Sequence, residues 1–542
     1  MFEIISHYLI FLTITFSNGF ILKKILIKKN SDFDLNFFEI SIFGLIVTGF
    51  IATILNFFLP LNDIIIYINL SFCIFLISKY YKEINFRYDK NSKSIIILFL
   101  ILSLINIYGS GFSDDLHHYH GGYISNTDNQ KYIIGLNYLH HHYGYSSIWL
   151  ILHSYLNFNN SLLQDIHIVN GIIFFLILSY FITEILNNSD FKKNYTLYIL
   201  SSIFIYFFLV KYTRLKEFGL DRPGILIFCF LIYFAAKYEK LLKLKPLEIK
   251  KYFFLIFLVC IFITSIKIFF ISSFLLPIIL VYKSKNYSLI YTRYALIVYI
   301  LGIIYLLKNF LISGCLIYPF DFTCISGVPW NSKEIASKLI LLTEASTKAY
   351  SNYNGLIAIS EYIKNFNWWN TWISRTFEEL INFSFTIFFI FLLFLFTSKF
   401  NNTKKNYTYF QISIILVFLL NMIIFFKSPV IRYHHMSFLL LIISIIILMK
   451  KEFLIKKNVF SIILILAFLF NFGKNLIRIN ENNYYNNPYK HVKKINWYES
   501  PKEKKLQNFS YYIGWIDASP VGNMILDKYK HKKKIGFDII YK

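Results

Sequence analysis

Long runs of apolar residues recur from one end of the chain to the other, and they restrict its fold more than any other feature. Phe253–Ile266, Phe383–Phe396 and Ile412–Phe426 are three of them, and with their flanks most runs approach the roughly 20 residues that a helix needs to cross a bilayer. Charged residues make up only 16% of the chain, whereas a soluble domain has about 25%. The sequence therefore predicts an all-α, polytopic membrane helical bundle.

Basic clusters in the short segments between these runs set the predicted topology, because lysine and arginine are retained on the cytoplasmic side. Each successive pair of clusters leaves room for two crossings, which gives about fourteen spans. They are 4–22, 38–58, 62–80, 94–108, 165–186, 195–210, 223–238, 252–266, 268–282, 291–310, 380–397, 408–426, 436–449 and 458–472. Both termini are then non-cytoplasmic.

The same topology divides the chain into a transmembrane helical domain, 1–472, and a small C-terminal cap, 473–542. Two large loops, 109–164 and 311–379, are predicted on the same outer side as the cap. The net charge of +25 does not indicate a nucleic-acid partner, because most of the cations lie in the short loops. The predicted partner is the lipid bilayer.

Two segments depart from simple crossings. Counting 146–158 as a span would invert the charge pattern of everything after it, so we predict a re-entrant or interfacial helix there, with amphipathic helices in the loop around it. The stretch 252–282 carries Lys267 in its middle, and each half is short for a full crossing. Two half-helices that meet near Lys267 are predicted, an arrangement that often lines a binding site.

The chemistry-bearing residues are densest just after the fourth span, where 113–120 reads Ser-Asp-Asp-Leu-His-His-Tyr-His. Asp115 is the candidate catalytic base, since a carboxylate can accept a proton from an attacking sugar hydroxyl, and Asp114 and His120 are predicted to support it. Substrate binding is assigned to His117, His118 and Tyr119. The alternative is a hydrated loop whose acidic residues cap the next helix.

A second imidazole cluster, His140–His142, raises the question of a metal ion. Three consecutive residues cannot all face one ion from a helix, where neighbours on one face recur every three or four residues. Asp115 with His118 or His120 has the better spacing. No metal ligand is assigned, and a divalent cation that steadies a departing phosphate is left open.

Outer cations and aromatic residues complete the predicted site. Arginine and lysine near the membrane suit a lipid-linked phosphate, although snorkelling to headgroups or internal ion pairing is the alternative for each. The outer loop 311–379 contains tryptophans typical of a sugar-stacking surface, with ordinary loop packing as the alternative. The additional substrate-binding candidates are Arg214, Arg222, Lys267, Arg432 and Trp330. Cys315 and Cys324 lie in the same loop, where an oxidising compartment permits a disulfide.

Several of these motifs resemble a group of bacterial multispan membrane proteins of the LIC_10190 type, and more distantly the integral membrane glycosyltransferases of the GT-C type. The residues that carry the resemblance are Asp115-Leu-His-His-Tyr119-His120, Gly135-Leu136 through Ser146-Ser147, Lys308-Asn309 with Ser313-Gly314, Tyr318-Pro319, and Pro429-x-x-Arg432-Tyr433. The resemblance implies a GT-C-like fold in the bacterial inner membrane, and the topology predicted from the charges then places both termini in the periplasm.

The resemblance also implies a role in assembling cell-surface polysaccharide or glycolipid. The expected reaction transfers a sugar from a polyprenyl-phosphate donor to a glycan, lipid or protein acceptor on the outer face. Two alternatives remain open at this point. One is a polymerase of O-antigen or exopolysaccharide, and the other is a transporter of lipid-linked glycan without covalent chemistry.

Overall fold

The computed structural model describes residues 2–26, 34–84, 90–108, 115–157, 168–187, 195–215, 219–239, 246–364, 366–397, 400–402, 408–448, 451–453, 457–481, 502–506, 509–513, 529–534 and 536–541. Helices dominate these residues. They are α1 (Phe2–Leu26), α2 (Phe37–Asn56), α3 (Asp63–Tyr80), α4 (Lys90–Tyr108), α5 (Gly121–Asn129), α6 (Ile148–Tyr155), α7 (Ile168–Asn187), α8 (Tyr195–Lys211), α9 (Asp221–Tyr238), α10 (Pro246–Ile266), α11 (Leu275–Ser284), α12 (Arg293–Ser313), α13 (Lys333–Thr347), α14 (Ile359–Lys364), α15 (Trp368–Thr397), α16 (Tyr409–Lys427), α17 (His435–Leu448) and α18 (Lys457–Glu481).

Six short strands form three two-stranded antiparallel sheets within the described residues. They are β1 (Phe400–Asn402) with β2 (Lys451–Phe453), β3 (Lys502–Leu506) with β4 (Phe509–Ile513), and β5 (Lys530–Lys534) with β6 (Phe537–Tyr541). The prediction of a helical bundle is confirmed, and every predicted span overlaps a helix. In the described part of the chain, eight helices are long and apolar enough to cross a membrane, so the number fourteen stays a prediction.

The bundle has a buried centre and an apolar perimeter. Helices α7, α9 and α10 are almost wholly buried, whereas α3, α12, α15 and α18 expose large apolar side chains. Examples are Ile68, Ile303, Phe385 and Ile462. A soluble protein rarely leaves so much contiguous apolar surface in water, and lipid covers such a surface without cost. The chain is therefore a multipass membrane protein.

The first two helices cross at very short range because glycine lies on both of them. A Cβ atom on Gly19 would overlap the backbone oxygen of Ile40, and one on Gly44 would overlap that of Thr15. Small residues let two membrane helices approach until their backbones touch, which replaces the hydrophobic driving force that lipid removes. This contact fixes α1 against α2.

Segments predicted on one side of the membrane pack together at one end of the bundle. Ile134 pairs with Ile539 of β6, the backbone N–H of Gly135 donates to Leu311 at 2.8 Å, and the Tyr138 hydroxyl donates to the Asn331 carbonyl at 2.7 Å. Both outer loops and part of the predicted cap thus form one structure. Helix α18 continues to Glu481, so the predicted start of the cap at 473 lies within that helix.

The opposite end is held by a buried ion cluster. Lys237 Nζ lies 2.8 Å from a carboxylate oxygen of Glu39 and 2.7 Å from one of Glu184. These residues belong to α9, α2 and α7 respectively, so the cluster ties three central helices at the end where the sequence predicts the cytoplasm. The orientation of the two ends across a membrane remains a prediction.

Both irregular segments are helical, and each corrects or narrows an expectation. Helix α6 is buried along all eight of its residues, which favours the re-entrant alternative over a helix lying on the membrane surface. Helix α10 ends at Ile266, and the backbone of Lys267 is extended before a 3₁₀ helix (Ile268–Phe274) leads into α11. The break is where the sequence predicts it. However, α10 is long enough to span, so the expectation of two short halves is wrong for α10.

Candidate functional site

Four elements bring several of the predicted residues together at the outer end, which is the end of the bundle that the sequence predicts to be outside. They are a π-helical turn (Leu116–His120) after Asp115, the start of α9, the break at Lys267, and a 3₁₀ helix (Ile431–His434) that precedes α17. Each is a place where regular α-helix begins or stops, so side chains there project into the space between helices rather than along them.

Asp221, which the sequence did not assign to the site, is its electrostatic centre. Its Oδ1 lies 2.5 Å from Lys267 Nζ, and its Oδ2 lies 3.6 Å from Arg432 Nε. The Asp221 side chain is 26% exposed and that of Arg432 is 53% exposed, so the cluster is open on the arginine side. Lys267 and Arg432 therefore form the internal ion pairs that were the alternative to phosphate binding. The Arg432 guanidinium nevertheless remains accessible to an anion.

The aromatic ring of Tyr433 contacts both cations. Lys267 Nζ lies 3.2 Å from the ring centroid of Tyr433, and Arg432 Nη2 donates to the Tyr433 hydroxyl at 3.3 Å. A cation over an aromatic face is attracted by the ring quadrupole. The ring therefore holds Lys267 and Arg432 at fixed positions relative to each other, which suits recognition of one phosphate.

The acidic–imidazole segment, Asp115–His120, lies close enough to this cluster for their charges to interact. Burial lowers the pKa of His120 to about 4, although the charges of Asp115 and Asp221 act in the opposite direction. Burial, followed by the charges of Asp115 and then of neighbours that include Asp221, raises the pKa of Tyr119 well above its ordinary value. Both carboxylates are thus close to Tyr119 and His120, and His120 is neutral at physiological pH. A neutral imidazole can relay a proton but supplies no positive charge.

The structure places the other predicted residues unequally. Asp114 and the side chains of His117 and His118 lie outside the described residues. Arg222 follows Asp221 in α9, and its guanidinium lies 5.4 Å from the ring centroid of Tyr212.

Two further candidates lie elsewhere at the outer end. Arg214 is exposed and lies near Lys474 and Arg478 of α18, in a separate cationic patch. Trp330 donates its indole N–H to the Phe310 carbonyl at 3.0 Å and packs between the two outer loops. Neither is brought to Asp221.

Most described tryptophans pack within the protein, which favours the packing alternative over sugar stacking. The indole N–H of Trp149 donates to Asn170 at 2.9 Å, and that of Trp372 donates to the Pro429 carbonyl at 2.7 Å. Trp368 is also buried, whereas Trp369 is 38% exposed. Trp372 thereby positions the segment that carries Arg432. The disulfide between Cys315 and Cys324, which the sequence permits, is formed, and it closes the start of the loop that contains Trp330.

The three successive histidines do not lie on one α-helix, so the limit that helical geometry sets on their convergence does not apply to them. His140 has an extended backbone, and a 3₁₀ helix begins at His141. One ring nitrogen from each of His140, His141 and His142 lies within 4.8 Å of the others. The ring of His142 stacks on Tyr119 with centroids 4.8 Å apart, so this cluster adjoins the acidic–imidazole segment. Burial also lowers the pKa of His141 to about 4.

The loop that carries Asp115 is anchored by a buried carboxyl, Asp128. Its oxygens accept hydrogen bonds from Ser154 and, at 2.8 Å, from Asn157. These contacts join α5 to α6. Burial raises the pKa of Asp128 to about 8, and the charge of Asp63 acts in the same direction, against the hydrogen bonds.

We expect this carboxyl to make the outer loop less stable as the pH rises. The folded protein keeps the Asp128 proton up to about pH 8, whereas the unfolded chain releases it near the ordinary aspartate pKa of 3.8. Raising the pH between these values therefore favours unfolding. The Tm of the wild-type protein should fall by a few degrees from about pH 5 to about pH 8. Asp128→Asn should reduce this slope, and Asp321→Asn, at an outer-loop aspartate, should keep it; equal slopes in all three proteins would contradict the assignment.

Chemically, the arrangement offers a carboxylate that can act as a base and two cations, one of which is largely exposed. Asp115 and Asp221 formally balance the charges of Lys267 and Arg432. An anion that reaches Arg432 therefore meets cations whose geometry is already set. This combination suits transfer from a phosphate-bearing donor to a hydroxyl.

Comparison with known proteins gives one match. Residues 1–439 match the model of a family described as a domain of unknown function (DUF8201). No curated protein and no solved structure matches the chain.

Proposed function

Because that match covers most of its length, the chain belongs to the DUF8201 family, and we propose that it is a membrane glycosyltransferase-like enzyme of cell-surface polysaccharide or glycolipid assembly. In this proposal it transfers a sugar from a polyprenyl-phosphate donor to a glycan or lipid acceptor at the outer face of a bacterial inner membrane. The bilayer holds the donor lipid, and the outer end of the bundle holds the reacting groups.

The observation that carries the proposal is the convergence of Asp115, Tyr119 and His120 on the cluster of Asp221, Lys267 and Arg432. These residues come from four separate parts of the sequence. A purely structural ion pair does not require a second carboxylate and a neutral buried imidazole beside it. Activation of an acceptor hydroxyl requires a base, by contrast, and phosphate binding requires cations. The two must be close enough to act on the same pair of bound substrates.

The proposed reaction uses each group once. Asp115 takes the proton from the acceptor hydroxyl as its oxygen bonds to the anomeric carbon of the sugar. The bond from that carbon to the phosphate oxygen breaks, and the electron pair leaves with the polyprenyl phosphate. Lys267 and Arg432 stabilise the negative charge that develops on the phosphate. His120, neutral and buried, supports Asp115 without competing for the phosphate.

The test is made in the bacterium that encodes the protein. Deletion of the gene should remove or shorten a surface glycan and cause a polyprenyl-linked sugar to accumulate in the membrane fraction. The wild-type gene should restore both. Mass spectrometry of lipid-linked intermediates and gel analysis of surface polysaccharide measure the two effects.

The outcomes separate the proposal from its rivals. Accumulation of a single lipid-linked sugar supports transfer from that donor. Accumulation of complete lipid-linked repeat units indicates a polymerase instead, and lipid-linked glycan trapped on the cytoplasmic face indicates a transporter. Unchanged glycans and unchanged lipid intermediates in the deletion strain would overturn the proposal.

A further inference from the structure

The histidine cluster His140–His142 has the geometry of an incomplete coordination sphere. Its three ligand atoms lie within 4.8 Å of one another. Nitrogen ligands about 2.0–2.1 Å from a tetrahedral zinc ion are roughly 3.3 Å apart. Small rotations of the rings therefore bring all three nitrogens to bonding distance from one ion. The cluster lies in an outer loop, where an ion can arrive from water.

A buried polar atom points to a missing ligand at this place. The His141 side chain is 4% exposed, and its Nε2 has no hydrogen-bond partner in the part of the chain that the structure describes. An unsatisfied buried nitrogen destabilises the folded protein. A metal ion bonded to that nitrogen removes this destabilisation.

The backbone explains how successive residues supply the ligands. His140 is extended (φ −156°, ψ 123°), and its Nδ1 accepts the backbone N–H of His142 at 3.3 Å. A neutral imidazole has only one ring lone pair, so His140 exchanges this weak bond for the metal ion when one of its nitrogens becomes a ligand. The 3₁₀ helix then turns the next two side chains back toward the first.

The ligand type selects the class of metal. Three imidazoles without a carboxylate favour borderline ions such as zinc over magnesium, calcium or manganese, which prefer oxygen. Three protein ligands also leave one tetrahedral position open, which is the pattern of catalytic rather than structural zinc sites.

We propose that His140, His141 and His142 bind a divalent metal ion of the zinc class, with water or a phosphate oxygen as the fourth ligand. The ion lies on the Tyr119 side of the candidate site, since Tyr119 stacks on His142 with an interplanar angle of 19°. Metal binding itself does not depend on the proposed function. Only a role of the ion in holding the donor phosphate rests on it.

Metal content of the purified full-length protein tests this proposal. The protein is prepared in nanodiscs with an affinity tag that contains no histidine, stripped with a chelator, and equilibrated at buffered nanomolar free Zn²⁺. We expect about one equivalent of zinc per chain for the wild type and less than about a tenth of an equivalent for His141→Ala. His531→Ala changes a histidine of β5 that pairs with Asp538 at 2.9 Å, and it should keep the wild-type content.

A second measurement does not require the variant to fold. Co²⁺ added to the stripped wild-type protein should give the intense visible absorption of a four-coordinate site, and equimolar Zn²⁺ should abolish it. Binding only at millimolar metal, or equal zinc in His141→Ala and wild type, would overturn the proposal. Either result leaves the glycan test intact, because that test measures lipid intermediates and not metal.

Discussion

Asp115→Asn should lower sugar transfer by about a thousandfold while leaving the amount of folded protein in the membrane unchanged. The amide is nearly the same size as the carboxylate but cannot accept the proton of the acceptor hydroxyl, and general base catalysis contributes about 10²–10⁴-fold. Asp115 is half-buried at the start of a π-helical turn, so the substitution keeps the local packing. The rate is measured with purified protein, lipid-linked donor and the acceptor that the deletion strain identifies.

The matched control for Asp115→Asn is Asp321→Asn. Asp321 is an outer-loop aspartate whose Oδ2 accepts a hydrogen bond from Ser337 at 2.8 Å, and it lies outside the candidate site. The control should transfer at the wild-type rate. Full activity of Asp115→Asn together with loss of activity in Arg432→Ala would exclude Asp115 as the catalytic base. It would favour the polymerase, which relies on cations.

Gly44→Leu should prevent the chain from folding. A side chain at this position meets the backbone of α1 at Thr15, and a backbone cannot yield as the end of a flexible side chain can. Helices α1 and α2 must then separate, which forfeits the packing that lipid cannot replace. We expect a loss of roughly 3 kcal/mol or more. The measurement is the fraction of detergent-extracted protein that elutes as a single peak in size-exclusion chromatography.

Gly473→Leu provides the comparison for this prediction. A Cβ atom added to Gly473 in α18 has no heavy atom within 4 Å, so the same change in size should leave the elution profile as it is. If Gly44→Leu also eluted like the wild type, the close crossing of α1 and α2 would not be needed for the fold.

The helices were predictable because each depends on a local run of apolar residues, and local runs are visible in the sequence. The break at Lys267 was visible for the same reason, since a charge in the middle of a long apolar stretch is unfavourable in lipid. The partner of Lys267, Asp221, is not visible in the sequence in this way. Asp221 is 46 residues from Lys267 and 211 residues from Arg432 in the chain, and only the packing of α9 against the 3₁₀ helices brings the three charges together.

The positions of two other features, the histidine cluster and Trp330, depend on backbone geometry rather than on residue type. The convergence of His140–His142 follows from a change of conformation between adjacent residues, which a helical pattern does not describe. The sequence favours Trp330 as a substrate-binding residue because its loop is rich in aromatic and amide residues. Composition does not show that its N–H is already used by Phe310.

Helix α9 is charged at both of its ends, and this limits how the protein can move. Asp221 at its first turn pairs with Lys267, and Lys237 in its last turn pairs with Glu39 and Glu184. Sliding α9 along its axis would break both sets of pairs at once, so these pairs fix the position of the helix in the bundle. In the proposed function, a lipid-linked donor must then approach from the side of Arg432, whose side chain is 53% exposed whereas that of Asp221 is 26% exposed.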